Sequence, residues 1–122
     1  MKFDMTTLKV QVDKDIEDDG LYIVTLWVDL TPPRYISVSR DAYEEPDVIY
    51  IEAQDQIYGK KTTNLRYSIS DSILRLYFLP GSEVFFHWNN SSEVLIKINE
   101  RDWEVMQESF KNIFSLGGRF MH

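Results

Sequence analysis

Asn64-Leu-Arg-Tyr-Ser-Ile-Ser-Asp-Ser-Ile-Leu-Arg-Leu-Tyr-Phe-Leu79 is two strands and the turn that joins them. Leu65, Tyr67 and Ile69 alternate with Arg66 and Ser68, and Leu74, Leu76 and Phe78 alternate with Arg75 and Tyr77. A period of two puts the apolar set on one face of each strand. Ser70-Asp-Ser72 between them is short and polar, as a tight reversal requires. A hairpin this clear predicts an antiparallel sheet, and Pro80-Gly81 closes it.

The same pattern recurs outward in both directions. Thr6–Val12 alternates Leu8, Val10 and Val12 against Lys9 and Gln11. A charged connection ending in Asp19-Gly20 leads to Leu21–Leu30, a strand apolar enough on both faces to be central. Thr31-Pro-Pro33 breaks it, because proline cannot donate to a ladder. Arg34–Ser39 reads as a short strand, 41–47 as a polar loop or a short helical turn, Val48–Gln54 as a strand and Ile57–Thr63 as its loop. Glu83–Trp88 and Ser92–Ile98 read as a further hairpin. The period then changes: Trp103, Met106, Phe110, Ile113 and Phe114 recur at three- and four-residue steps, a helix stripe. Asn99 is the expected N-cap, and Gly117-Gly118 the expected stop. The expected fold is α+β in one domain: N-terminal strands over 5–39, central strands over 48–98 and a long C-terminal helix over 100–116. About seven mainly antiparallel strands pack one face on the helix or bend around it. The other face is left solvated, self-folded or covered by a partner.

A chain of 122 residues buries roughly 65% of its unfolded surface, enough for one core without staples. There is no cysteine, which excludes disulfides, thiolate metal sites and a cysteine nucleophile. No stretch has the length and apolarity of a signal peptide or a membrane helix, so a soluble cytoplasmic protein is expected. The net charge of −7 is lopsided: residues 1–59 carry 5 basic and 13 acidic side chains, residues 60–122 carry 8 and 7. Such a chain repels phosphate and attracts a basic partner, so no nucleic-acid partner is expected.

No motif for catalysis emerges. His87 and His122 have no second histidine at ligand spacing, and the acidic run from Asp13 lacks the glycine and glutamate of a calcium loop. No nucleophile elbow, P-loop or dinucleotide-binding glycine pattern occurs, so neither a catalytic residue, a metal nor a cofactor is expected. The densest polar face lies on Val48–Gly59, where Ile49, Ile51 and Ala53 turn inward and Tyr50, Glu52 and Gln54 outward, followed by Asp55, Gln56 and Tyr58. Carboxylate, amide and phenol groups together make a recognition surface, with Glu44, Glu45 and Asp47 as steering charges nearby.

Tyr50-Ile51-Glu52, then Gln54-Asp55-Gln56 and Tyr58-Gly59, resembles the immunity proteins of bacterial polymorphic toxin systems, the tenth numbered family in particular. That family continues with a basic-tipped hairpin, here Leu65–Phe78, and a helix ending in Ile-Phe, here Ile113-Phe114. The resemblance spans roughly 34–114; where the family often follows Tyr-Gly with Gly and Ile, this chain has Lys60-Lys61. It implies a small cytoplasmic protein that binds and neutralises a toxin domain, often a nuclease, by occlusion and without catalysis. The acidic charge makes the expected partner cationic, and the chain itself is expected as a monomer or homodimer. Two other readings are a small hydrolase or isomerase with Glu52 or Asp55 as base, and a homodimeric structural module.

Overall fold

The computed structural model describes residues 4–15, 20–28, 34–53, 55–81, 86 and 91–115. Eight strands and one helix follow in order: β1 Met5–Asp15, β2 Leu21–Val28, β3 Tyr35–Asp41, β4 Ile49–Ala53, β5 Asp55–Thr62, β6 Leu65–Ser70, β7 Ile73–Phe78, β8 Glu93–Lys97 and α1 Trp103–Ser115. They form one sheet in the order β5-β4-β3-β2-β1-β8-β7-β6. Every neighbouring pair is antiparallel except β1 and β8, whose parallel contact joins two meanders.

One strand was not expected: residues 57–63, read as a loop, fall largely in β5. Thr62, Lys61 and Lys60 pair with Ile49, Tyr50 and Ile51. As an edge strand β5 is paired through only one side, and lysines are a common guard on such edges, so its sequence lacks the alternation that marks inner strands. The expected hairpin before β8 falls largely at 82–85 and 87–90, outside the described residues, as do Leu30, Thr31-Pro-Pro33 and Gly117-Gly118. Within that hairpin Phe86 bridges Ser91, and Phe86 packs its ring 4.9 Å from Phe78.

Two residues separate β5 from β6, yet these strands are the two edges of the sheet. Three Cα–Cα steps span about 11 Å at most. Eight flat strands would hold their outer members about 34 Å apart. The sheet therefore curls until its edges approach, and α1 lies in the hollow. Tyr67 on β6 sets its ring 5.4 Å from Phe110 and 4.8 Å from Phe114. From β3, Arg40 reaches the Asn112 carbonyl at 3.5 Å. The core is the inward set of the strands, including Val24, Leu26, Ile36, Val38, Ile49, Leu65, Leu74, Leu76, Val94 and Ile96, closed by Met106, Phe110, Ile113 and Phe114.

Two departures from simple alternation have physical causes. Thr7 pairs with Val28 and Lys9 with Trp27, so Leu8 is one extra residue in β1. This bulge reverses the inward parity upstream of it. Leu8, read as apolar and inward, is exposed, and Thr7 is buried in its stead. Thr7 then clamps the start of the helical segment: its Oγ1 accepts the Asn99 N–H at 3.0 Å, and its carbonyl accepts Asn99 Nδ2 at 2.6 Å. The Asn99 side chain is thereby spent on β1 and does not cap; Asn99 leads into a 3-10 turn, Glu100–Asp102, ahead of α1. The β6–β7 reversal is a two-residue turn with Asp71 and Ser72 both at positive φ (52° and 66°), the mirror-type turn that suits the twist of a hairpin.

Candidate functional site

β3 and β4 pair so that Ser37 faces Glu52 and Ser39 faces Tyr50, all on the outer face of the sheet. Tyr35, two residues before Ser37, is therefore the diagonal neighbour of Glu52. Its hydroxyl donates to Glu52 Oε2 at 2.6 Å, and the Tyr50 hydroxyl donates to Glu52 Oε1 at 2.9 Å. Each carboxylate oxygen holds one phenol. Burial pushes the Tyr50 phenol above its ordinary pKa, and the hydrogen bond to Glu52 and the charge of Glu52 push the same way.

The array extends across four strands. Trp27 on β2 faces Tyr35 directly, with ring centroids 5.5 Å apart and planes tilted by 50°. Its indole N–H donates to Gln11 Oε1 at 3.1 Å, and Gln11 Nε2 donates to Asp13 Oδ2 at 3.0 Å. Polar and aromatic side chains thus form a continuous line from Asp13 on β1 to Tyr50 on β4. Trp27 is 40% exposed, a large aromatic surface turned to solvent.

Gly59, expected in a turn, lies inside β5 and has a different task. A Cβ there would stand 1.8 Å from Tyr50 Oη and 2.5 Å from its Cζ. The Tyr50 ring crosses over β5 only because Gly59 has no side chain. Gly20, at φ +67°, serves Tyr43 similarly: a Cβ would meet that ring at 2.5 Å.

The β3–β4 connection carries the expected steering charges. Asp41 Oδ1 accepts the N–H groups of Tyr43 and Glu44 at 3.1 and 2.9 Å, which shapes the loop. Glu44, Glu45 and Asp47 are exposed on it. Glu45 pairs with Lys61 at 2.8 Å, and Lys61 stands opposite Tyr50, so this loop is tied to the edge of the aromatic array. Asp47 acts on buried Arg40, whose guanidinium is shifted down by burial and partly restored by Tyr22 and Asp47.

Of the residues expected to form the site, the structure joins Tyr50 and Glu52, and Glu45 reaches Lys61 opposite Tyr50; Glu44 and Asp47 are exposed on the same loop as Glu45. Asp55, Gln56 and Tyr58 lie on β5, with side chains outside the described residues, and Gln54 is outside them altogether. Tyr35, Trp27 and Gln11 belong to the array but were not expected there. Their signal is register: once β2, β3 and β4 are aligned, Trp27, Tyr35 and Glu52 fall on one diagonal.

A cavity of about 250 Å³ opens elsewhere, between α1 and the β1–β2 hairpin, lined by Val12, Tyr22, Ile23, Val105, Glu108, Ser109, Asn112 and Ile113. Glu52 does not line it. Among the described residues no group of acidic or histidine side chains could hold a metal ion. Nor, among them, is any helix long and apolar enough to cross a membrane. No protein-family model matches the chain, and no curated protein or solved structure matches it.

Proposed function

We propose that this chain is an immunity-type protein of the cytoplasm that binds a cationic toxin domain, such as a nuclease, and neutralises it by occlusion. The observation that carries this reading is the outer-face array from Gln11 to Tyr50, in which a carboxylate is braced by two phenols and flanked by a half-exposed tryptophan. Exposed aromatic side chains with few degrees of freedom are favoured anchors of protein interfaces. The acidic first half of the chain supplies the attraction, and a nuclease supplies the opposite charge because it must hold phosphate. The resemblance of Tyr50-Ile51-Glu52 and Tyr58-Gly59 to immunity proteins points the same way.

Binding is favoured over proton abstraction by two features. Both Glu52 oxygens already accept a phenol hydrogen bond, as a fixed acceptor does. The cavity between α1 and the β1–β2 hairpin, which could shelter a small substrate, is not lined by Glu52.

The test is co-expression with the toxin encoded by the adjacent upstream gene. Cells that survive only when this chain is present support the reading; cells that die despite normal levels of it overturn it. Glu44→Gln with Asp47→Asn should slow association and flatten its salt dependence while leaving dissociation nearly unchanged, as rim charges do.

A further inference from the structure

An ionised carboxylate offers about four lone-pair positions. The two phenols on Glu52 occupy one on each oxygen, at 2.6 and 2.9 Å. Among the described residues no other hydrogen bond reaches either oxygen, and the phenols hold the group in a fixed orientation. Among the described residues no ion pair involves Glu52.

The other half of the sheet shows what such a surface can hold. Arg75 on β7 donates from Nε to Glu93 on β8 at 2.6 Å, and its guanidinium carbon stands 4.0 Å over the Tyr77 ring. A carboxylate and a phenol ring on adjoining positions of an antiparallel pair thus hold one guanidinium. Glu52 with Tyr50 on its own strand and Tyr35 on its diagonal offers the same groups, with a second phenol and an indole added.

We infer that Glu52, Tyr35, Tyr50 and Trp27 form a receptor for a single arginine side chain presented by a protein partner. This rests on the binding reading above and names its chemistry. The planar fork of a guanidinium places two parallel N–H groups on the two oxygens of one carboxylate. Its face stacks on aromatic rings, which a lysine ammonium does less well. Lys61 opposite Tyr50 and Lys9 opposite Trp27 flank the receptor. Lys61 is matched by Glu45 at 2.8 Å.

The experiment is a titration of the ¹⁵N-labelled full chain with N-acetyl-arginine amide, followed by NMR, with N-acetyl-lysine amide as the control. Shifts should centre on Tyr35, Tyr50, Glu52 and the Trp27 indole N–H, with the lysine compound binding more weakly. Glu52→Gln is nearly isosteric and should weaken arginine binding by about tenfold or more, since a hydrogen bond to a charged group is lost. The double variant Tyr35→Phe with Tyr50→Phe keeps the charge but frees its orientation; it should weaken binding several-fold, and it serves if Glu52→Gln fails to fold. Shifts that centre elsewhere, no shifts at the solubility limit, equal response to lysine or an unchanged titration for the variants would overturn the receptor. The functional reading fails separately. Arginine binding at Glu52 by a chain that does not protect cells would uphold the receptor and overturn the immunity reading. Full protection by Glu52→Gln would overturn the receptor alone.

Discussion

Replacing Gly59 with alanine should destabilise the protein only while Tyr50 is present. The added Cβ would lie 1.8 Å from Tyr50 Oη, 2.5 Å from Cζ and 2.9 Å from Cε2, so the ring must leave its place over β5. Leaving breaks the 2.9 Å hydrogen bond to Glu52. A hydrogen bond to a charged group contributes about 1.5–3 kcal/mol, and the half-buried setting puts this one at the low end, about 1–2 kcal/mol. Against that, alanine restricts the unfolded chain and suits a strand better than glycine by about 0.5–1 kcal/mol. Gly59 is not among the positive-φ residues, so the backbone accepts the change. The net effect in the wild-type chain is a loss of about 0.5–1 kcal/mol. In a Tyr50→Ala background the clash is gone and the same change should stabilise by about 0.5–1 kcal/mol. Tyr50→Phe keeps Cζ and Cε2 in the way but has no hydrogen bond to Glu52 to lose, so in that background the effect should fall between the other two. Urea unfolding of the six proteins gives the comparison, and the cycle gives a coupling of about 1–2 kcal/mol. Equal effects of the Gly59 change with and without the Tyr50 ring would refute the clearance argument, and with it the placement of Tyr50 against Glu52.

Other perturbations test the fold that carries the site. Phe110→Ala removes a fully buried ring that touches both Tyr67 and Phe114 and should cost about 3–5 kcal/mol in urea unfolding. Ser72→Gly should stabilise by about 1 kcal/mol, because Ser72 holds φ at 66° where a Cβ is disfavoured; a loss of stability would contradict that turn geometry. Burial raises the Tyr67 phenol above its ordinary value of 10.0, and the same holds for Tyr50. In each case the unfolded phenol ionises first, so stability is intact below pH 10.0 and falls as pH climbs toward the folded-state value. Unfolding midpoints measured above that pH should decline, and Tyr67→Phe should flatten part of the decline.

Legibility differed between elements for local reasons. The β6–β7 hairpin and the stripe of α1 were readable because each periodicity is written in consecutive residues. β5 was not, since an edge strand in water needs no apolar face, and Gly59 within it answers to a tyrosine on its neighbour. Leu8 looked inward because alternation continues through it; the bulge is set by what β2 and Asn99 require of Thr7. At the site, Tyr50 and Glu52 were legible as a pair two residues apart on one strand. Tyr35 and Trp27 were not, because their claim on Glu52 runs through the registers of β2, β3 and β4.

By itself the sequence determined the strands of the antiparallel meanders other than β5, the C-terminal helix, the inward faces of most strands and the imbalance of charge. These depend on which residues prefer burial and at what spacing, a property of short segments. Tertiary structure alone decided the strand order, the parallel β1–β8 seam, the curl that brings the sheet around α1, and the diagonal that joins Trp27, Tyr35 and Glu52. Each of these is a choice among partners distant in the chain, and local spacing is the same whichever partner is chosen.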